Sequence, residues 1–403
     1  MKHGNTMTAI LFLSLLCMGF GLMIVAFLAG GSLRTVSGEV RRDPILIPAF
    51  LDGGAETAAN KDLSQVHVFI QAYGLFQRLS GRRVIEDLGQ SAAVAKLNNG
   101  TLNFIDLSNK EVDLDRHVLN TERLDRALGK EGIPYLFVLA PQKIEPGTDP
   151  LPDGLHDRAN GRADAFLSAL GDRGTDTLDL RPLFMETDDY ASWFFRTDHH
   201  WRPEAAFYAW GALTEVLEES YGLDVGGEYT DEANWDISIL NGWFLGSQGK
   251  RVGSLYAGVD DFTIYTPKFK TDLTYTCPSQ AIDRSGSLNE SVCFPERTEQ
   301  KDWFGGNPYT YYAGGDYPIA TIVDHSNPDG PKLLLIRDSF ACAITPFLAL
   351  SCSELTTVDL RYLEQDLLET IQQIDPDLVL TLYTVGTVGN ANMFDFFDEG
   401  YRS

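Results

Sequence analysis

The chain has 403 residues, 44% of them hydrophobic, enough for one large domain or two ordinary ones around a sizeable core. Its 32 basic against 57 acidic residues give a formal charge of −25 at pH 7, which repels phosphate backbones and argues against a nucleic-acid partner. An anionic ligand would need a local basic pocket.

Between Lys2 and Arg34 there is no Asp, Glu, Lys or Arg, and MTAILFLSLLCMGFGLMIVAFLAGG is long enough to cross a hydrocarbon layer of ~30 Å. Ala29 and Gly31 offer small residues for cleavage, but the apolar run exceeds an ordinary signal-peptide core. Residues 1–31 are therefore expected to be an uncleaved membrane anchor, single-pass, with the large domain extracytoplasmic. Lys2 faces Arg34, Arg41 and Arg42 across the run, so the positive-inside bias is weak. Residues 32–63, rich in Gly, Ala and Asp, read as a tether, and residues 64–403 as the folded domain.

Val66, Phe69, Ile70, Tyr73, Phe76 and Leu79 recur at helical spacing and stop at Gly81, which predicts an amphipathic helix. PYLFVLAP (134–141), KLLLIRDS (332–339) and DLVLTLY (377–383) are short continuous apolar runs, the form of strands buried on both faces of a parallel sheet. Phe207, Trp210, Leu213 and Leu217 form a helical stripe that begins after Pro203 and ends before Gly222. Strands alternating with helices imply an α/β domain. Residues 223–330, rich in Gly, Asp, Ser, Thr and Tyr, read as an irregular loop-and-strand insertion. Cys17 lies in the apolar run, and Cys277, Cys293, Cys342 and Cys352 permit two disulfides. Cys277 with Cys293, flanking a polar segment, is the expected pair, whereas Cys342 is expected to pack in the core.

Two motifs carry chemistry. In KLLLIRDSFACAITPFLAL a strand ends in Arg337, Asp338 and Ser339 and a helix follows, so the serine is displayed at the carboxyl edge of the sheet. Backbone N–H groups there can stabilise an oxyanion. The competing reading makes Ser339 a helix N-cap. A serine nucleophile needs a base and a carboxylate to orient it, and FFRTDHHWRPEAAFYAW (194–210) supplies both. Arg202 precedes Pro203 and so favours extended chain, in which Asp198 and His200 share a face and His199 points away. His200 is the expected base, His199 a supporting residue, and Trp201 either a shield or sugar floor for the site or a core residue. Asp and His are also metal ligands, but His3, His67, His117, His156 and His325 lie at no convincing ligand spacing, so neither a metal nor a cofactor is expected.

With APQK (140–143), LDLRPLF (178–184), FLGSQGKRVGSLY (244–256), IRDSFACAITPFLA (336–349) and VDLRYL (358–363), the chain resembles the DHHW family. That family lies within the SGNH-hydrolase-like proteins that include the alginate O-acetyltransferases. The resemblance implies an SGNH-hydrolase-like (flavodoxin-like) α/β three-layer sandwich with a mostly parallel sheet. It implies a Ser339–His200–Asp198 triad whose chain order is circularly permuted relative to ordinary SGNH hydrolases. Arg337 stands where those hydrolases have glycine and is expected to narrow the site or lend it positive charge. Gly246 is the expected further oxyanion-hole residue, with Asn241, Asn390 and Asn392 as alternatives for an asparagine.

The function this implies is a membrane-anchored O-acetyltransferase or acetylesterase acting on a cell-surface polysaccharide. The implied acetyl donor is a membrane-bound O-acyltransferase. The alternative is a catalytically silent glycan-binding or assembly-scaffold protein, with Trp235, Trp243 and Trp303 available for sugar stacking.

Overall fold

The computed structural model describes residues 67–86, 92–106 and 112–397, with Ser14, Cys17 and Gly21 as isolated helical positions. The expected anchor (1–31) and tether (32–63) lie outside the described residues apart from those three positions. Among the described residues no helix is long and apolar enough to cross a membrane. The longest, α4 (Pro203–Tyr221), has 19 residues but carries Glu204, Glu215, Glu218 and Glu219, each costly in hydrocarbon. The single-pass membrane localisation is therefore corrected, since no described helix supports it.

The described chain falls into two compact units. In the smaller, α1 (Val68–Leu79) packs against Val252–Tyr256, with Gln71 Nε2 donating to Ser254 Oγ at 2.8 Å. The larger unit begins with a three-stranded antiparallel sheet, β1 (Val84–Ile85), β2 (Ala92–Lys96) and β3 (Leu102–Asp106).

The three continuous apolar runs become β4 (Tyr135–Ala140), β11 (Lys332–Arg337) and β13 (Leu378–Thr384), adjacent strands of an eight-stranded sheet ordered β5-β4-β13-β11-β12-β10-β8-β9. Here β5 is Thr177–Asp179, β8 Leu273–Cys277, β9 Ile282–Gly286, β10 Ile319–Asp324 and β12 Glu354–Val358. Alternation along each strand feeds two cores. Leu136, Val138, Leu333 and Leu335 pack under α4 and α6 (Ala341–Ala349). Phe137, Leu139, Leu334 and Ile336 pack under α2 (Leu114–Lys130), α3 (Ala159–Gly171) and α7 (Leu367–Ile374). The result is a three-layer α/β sandwich.

The sheet is mixed rather than mostly parallel. β5, β4, β13, β11 and β12 run parallel, whereas β10, β8 and β9 continue the sheet antiparallel. These last three come from the segment expected to be an insertion, so it is in large part the edge of the sheet. It also holds a two-stranded ribbon of β6 (Trp235–Phe244) and β7 (Asp260–Pro267) and short helices.

The topology places the site. From β11 the chain moves to β12 on one side, then crosses back over β11 to β13 on the other. The carboxyl end of β11 is therefore a topological switch point, where open α/β sheets form their ligand crevice. Ser339 stands two residues beyond it.

Candidate active site

Beyond β11 the backbone turns sharply into α6, and the amides of that turn can be accounted for one by one. Asp338 N–H donates to Leu382 O, Phe340 N–H to Asp338 Oδ1 (2.9 Å), Ala341 N–H to Asp338 O and Cys342 N–H to Ser339 O. The Ser339 N–H has no acceptor among the described residues. Asp338, not Ser339, caps the turn, so the N-cap reading of the serine does not hold. Asp338 is itself held by Thr384 N–H (2.8 Å) and the Thr387 hydroxyl (2.6 Å).

The DHH segment is a loop rather than a strand. Arg202 is extended, as its place before Pro203 requires (φ −83°, ψ 160°). Residues 197–200 instead form a bend closed by a bridge between Phe194 and Trp201 and by Phe195 N–H donating to His200 O. Asp198 Oδ1 accepts both the His200 N–H (3.0 Å) and the His200 ring at Nδ1 (2.5 Å). A ring nitrogen against a carboxylate carries the proton, so Nε2 is left as an acceptor for the Ser339 hydroxyl, 2.8 Å away. Asp198, His200 and Ser339 thus form one hydrogen-bonded chain.

His199 does not point away. Its Nδ1 meets Ser247 Oγ at 2.9 Å, 3.7 Å from Asp198 Oδ1, and its ring packs on that of His200 at 3.8 Å between centroids. The bend keeps both imidazoles on one side, where extended chain would have parted them. Tyr309 covers the other face of His200, stacked at 4.0 Å and 14°. Its hydroxyl donates to Phe340 O (2.8 Å), which also accepts Trp201 Nε1–H (2.9 Å). Trp201 is fully buried: it is a core residue that ties the base loop to the nucleophile turn.

The carboxylate is supported from behind. Ser247 N–H donates to Asp198 Oδ2 at 2.6 Å, at the start of α5 (Ser247–Val252). Gly246 donates its N–H to Thr197 Oγ1 (2.8 Å), so the expected oxyanion role falls away. It is glycine because a Cβ would lie 2.5 Å from Asp198 Cα and closer still to its Cβ. Asp260 anchors the loop through Arg196 N–H (2.7 Å), Thr197 N–H (2.9 Å) and the Thr197 hydroxyl (2.5 Å). Buried Lys143, from APQK, donates to Leu102 O (2.6 Å) and Gln248 Oε1 (2.9 Å). Burial pulls its ammonium down to about 7, against the pull of Asp260 and Asp198.

Burial alone would raise the Asp198 carboxyl, but His199, His200 and the Ser247 amide outweigh it and hold it well below the usual carboxylate range. Burial and then the charge of His200 push the His199 imidazole down. Arg337 does not face the site. It is buried, donating to Asp316 (2.9 Å), Asp338 O (3.3 Å) and Gly315 O (2.5 Å), so it braces the turn instead of lending charge to a substrate. Asn241, Asn390 and Asn392 are exposed, and Asn390 Oδ1 is taken by the Asn392 N–H in a turn. Trp235 is buried in the core and leaves the set of sugar-stacking residues, whereas Trp243 and Trp303 are partly exposed beside Lys301. Cys277 and Cys293 are free, buried thiols, which corrects the expected disulfide.

Asp198, His199 and His200 also bring donor atoms within 4.8 Å of one another, the spacing of a metal site. Each is already engaged, Asp198 by His200 and Ser247, and His199 by Ser247.

The structure brings together Ser339, His200 and Asp198, which the sequence reading singled out; that reading passed over Tyr309 and Asp260, which no local motif marks, and Ser247, which lies within FLGSQGKRVGSLY. Comparison with curated proteins gave no match. Among solved structures, Bacillus cereus PatB1 with a sulfonyl adduct is 21% identical with a TM-score of 0.63, covering 78% of this chain and 99% of that one. A DHHW family protein from Eubacterium siraeum is 18% identical with a TM-score of 0.56, covering 77% and 96%. Both show the same fold. Residues 106–236 match the family model of the SGNH hydrolase-like domain of acetyltransferase AlgX, and residues 183–358 that of the DHHW protein. Within residues 106–358 the chain therefore carries a segment like the SGNH hydrolase-like domain and, overlapping it, a segment like the DHHW protein.

Proposed function

We propose that the protein is a serine-dependent O-acyltransferase or esterase that adds or removes O-acetyl groups on a cell-surface glycan. The observation that carries this reading is the unbroken hydrogen-bond chain from Asp198 through His200 to Ser339, beside an N–H with no acceptor. His200 Nε2 takes the Ser339 proton as Oγ attacks the acyl carbonyl. The Ser339 N–H then receives the oxyanion, and His200 returns the proton to the leaving oxygen. Asp198 stays ionised and holds the imidazole. In the second half a hydroxyl gives its proton to His200 and attacks the acyl-serine, releasing Ser339. A sugar hydroxyl makes the reaction transfer and water makes it hydrolysis. The acetyltransferase name of the matched family model favours transfer. The chain order, Asp198 and His200 before Ser339, is read as a permuted triad.

The test is turnover of a chromogenic acetyl ester. Ser339→Ala and His200→Ala are each expected to lose at least about 10³-fold in kcat while remaining folded. Near-normal turnover in either variant overturns the triad. Absence of turnover and of sulfonyl fluoride labelling in the wild-type protein would favour the silent glycan-binding scaffold.

A further inference from the structure

A cleft of about 960 Å³ opens at the carboxyl ends of β12 and β13, the sheet edge that also carries Ser339. Its walls are segments that hold the nucleophile turn. Asp316 lines it and pairs with Arg337, two residues before Ser339, at 2.9 Å. Asn390 and Asn392 line it too, and they follow directly on Thr384 and Thr387, which hold the Asp338 carboxylate. Ser339 does not itself line the cleft, but both lie on the carboxyl edge of the sheet and the charge of Asp316 acts on His199 beside the base, so an acceptor long enough to run along that edge would reach the acyl-serine.

The lining also states what charge that acceptor carries. Arg361, the only basic residue among the described residues that line the cleft, is neutralised twice, by Asp316 (2.9 Å) and Asp359 (2.6 Å). Asp395 is paired with Arg116, and Glu364 has no ion pair among the described residues. Among the described residues no free cation meets a bound carboxylate there, so this lining repels a polymer of uronic acids. Amides and carboxylates do suit sugar hydroxyls, and the half-exposed Tyr362, with the Arg361 guanidinium over its ring at 5.4 Å, adds an aromatic contact for a pyranose.

We infer that this cleft binds the acceptor, and that the acceptor is a glycan of neutral or amino sugars without carboxylates. The inference rests on the acyl-transfer reading above. One hydroxyl of the bound glycan attacks the acyl carbon, the bond to Ser339 Oγ breaks, and His200 passes the hydroxyl proton back to Oγ.

The experiment uses the full chain, 4-nitrophenyl acetate as donor, and three hexasaccharide acceptors: a glucose, a glucosamine and a mannuronate hexamer. Acetylated product is read by mass spectrometry and nitrophenol release by absorbance. The account expects transfer to at least one of the first two. It also expects Tyr362→Ala and Asn392→Ala to raise the acceptor KM about tenfold, with acceptor-free ester hydrolysis within about twofold of wild type. Transfer to the mannuronate hexamer alone, transfer to none of the three, or an unchanged acceptor KM in both variants overturns the inference. If ester hydrolysis survives Ser339→Ala, the acyl-transfer reading fails instead, so the two failures are distinguishable.

Discussion

His200 is held on three sides: by the Asp198 carboxylate at Nδ1, by the His199 ring on one face and by Tyr309 on the other. Because Asp198 is held well below the usual carboxylate range, it stays ionised wherever the protein works. The same lowered carboxyl contributes stability above the unfolded value of about 3.9, and that contribution is lost as pH falls through the lower folded value. Acid denaturation below about pH 4 should therefore be steeper in the wild type than in Asp198→Asn. Tyr309 gives a further prediction. Tyr309→Phe keeps the stacked ring and leaves Phe340 O to Trp201, so it should stay within a few-fold of wild type. Tyr309→Leu should lower kcat by about tenfold or more with little change in KM, and a leucine variant at wild-type kcat would contradict the role. Ser339 was legible in the sequence because a strand-end serine before a helix is a local pattern. Tyr309 was not, because only tertiary packing brings it to His200.

At the scale of elements, the loop that carries Asp198 is shaped by α5. Gly246 lets the two backbones approach until Ser247 N–H reaches the carboxylate and Gly246 N–H reaches Thr197. Gly246→Ala puts a methyl inside the space of Asp198, so kcat/KM should drop by at least about 10²-fold in a protein whose circular dichroism is unchanged. Wild-type activity in that variant would remove α5 from the site. The continuous apolar runs told the sequence reader where β4, β11 and β13 lie, because strands buried on both faces have no polar alternation to hide them. Alternation expected in TDHH misled, since a bridge between Phe194 and Trp201 folds those residues into a bend. β8, β9 and β10 were read as insertion because their short, half-polar strands find their pairing partners only in the sheet.

For the whole molecule, the α/β class followed from strands alternating with helices, while the mixed sheet needed the coordinates. The cysteines misled for a physical reason: an even number permits disulfides, but Cys277, Cys293, Cys342 and Cys352 are all buried as free thiols. The melting temperature is accordingly expected to be the same with and without reductant, and a fall of several degrees on reduction would restore a disulfide to the account. Everything proposed about function depends on a covalent acyl-serine at the β11 switch point. The most direct measurement is intact-mass and peptide-level detection of that species after rapid mixing with 4-nitrophenyl acetate, in the presence of a strong chelator. The account predicts one added acetyl on the Ser339 peptide of the wild-type protein and none in Ser339→Ala. Turnover that proceeds without this adduct, or that chelation abolishes and zinc or manganese restores, would contradict it and point to Asp198, His199 and His200 as metal ligands.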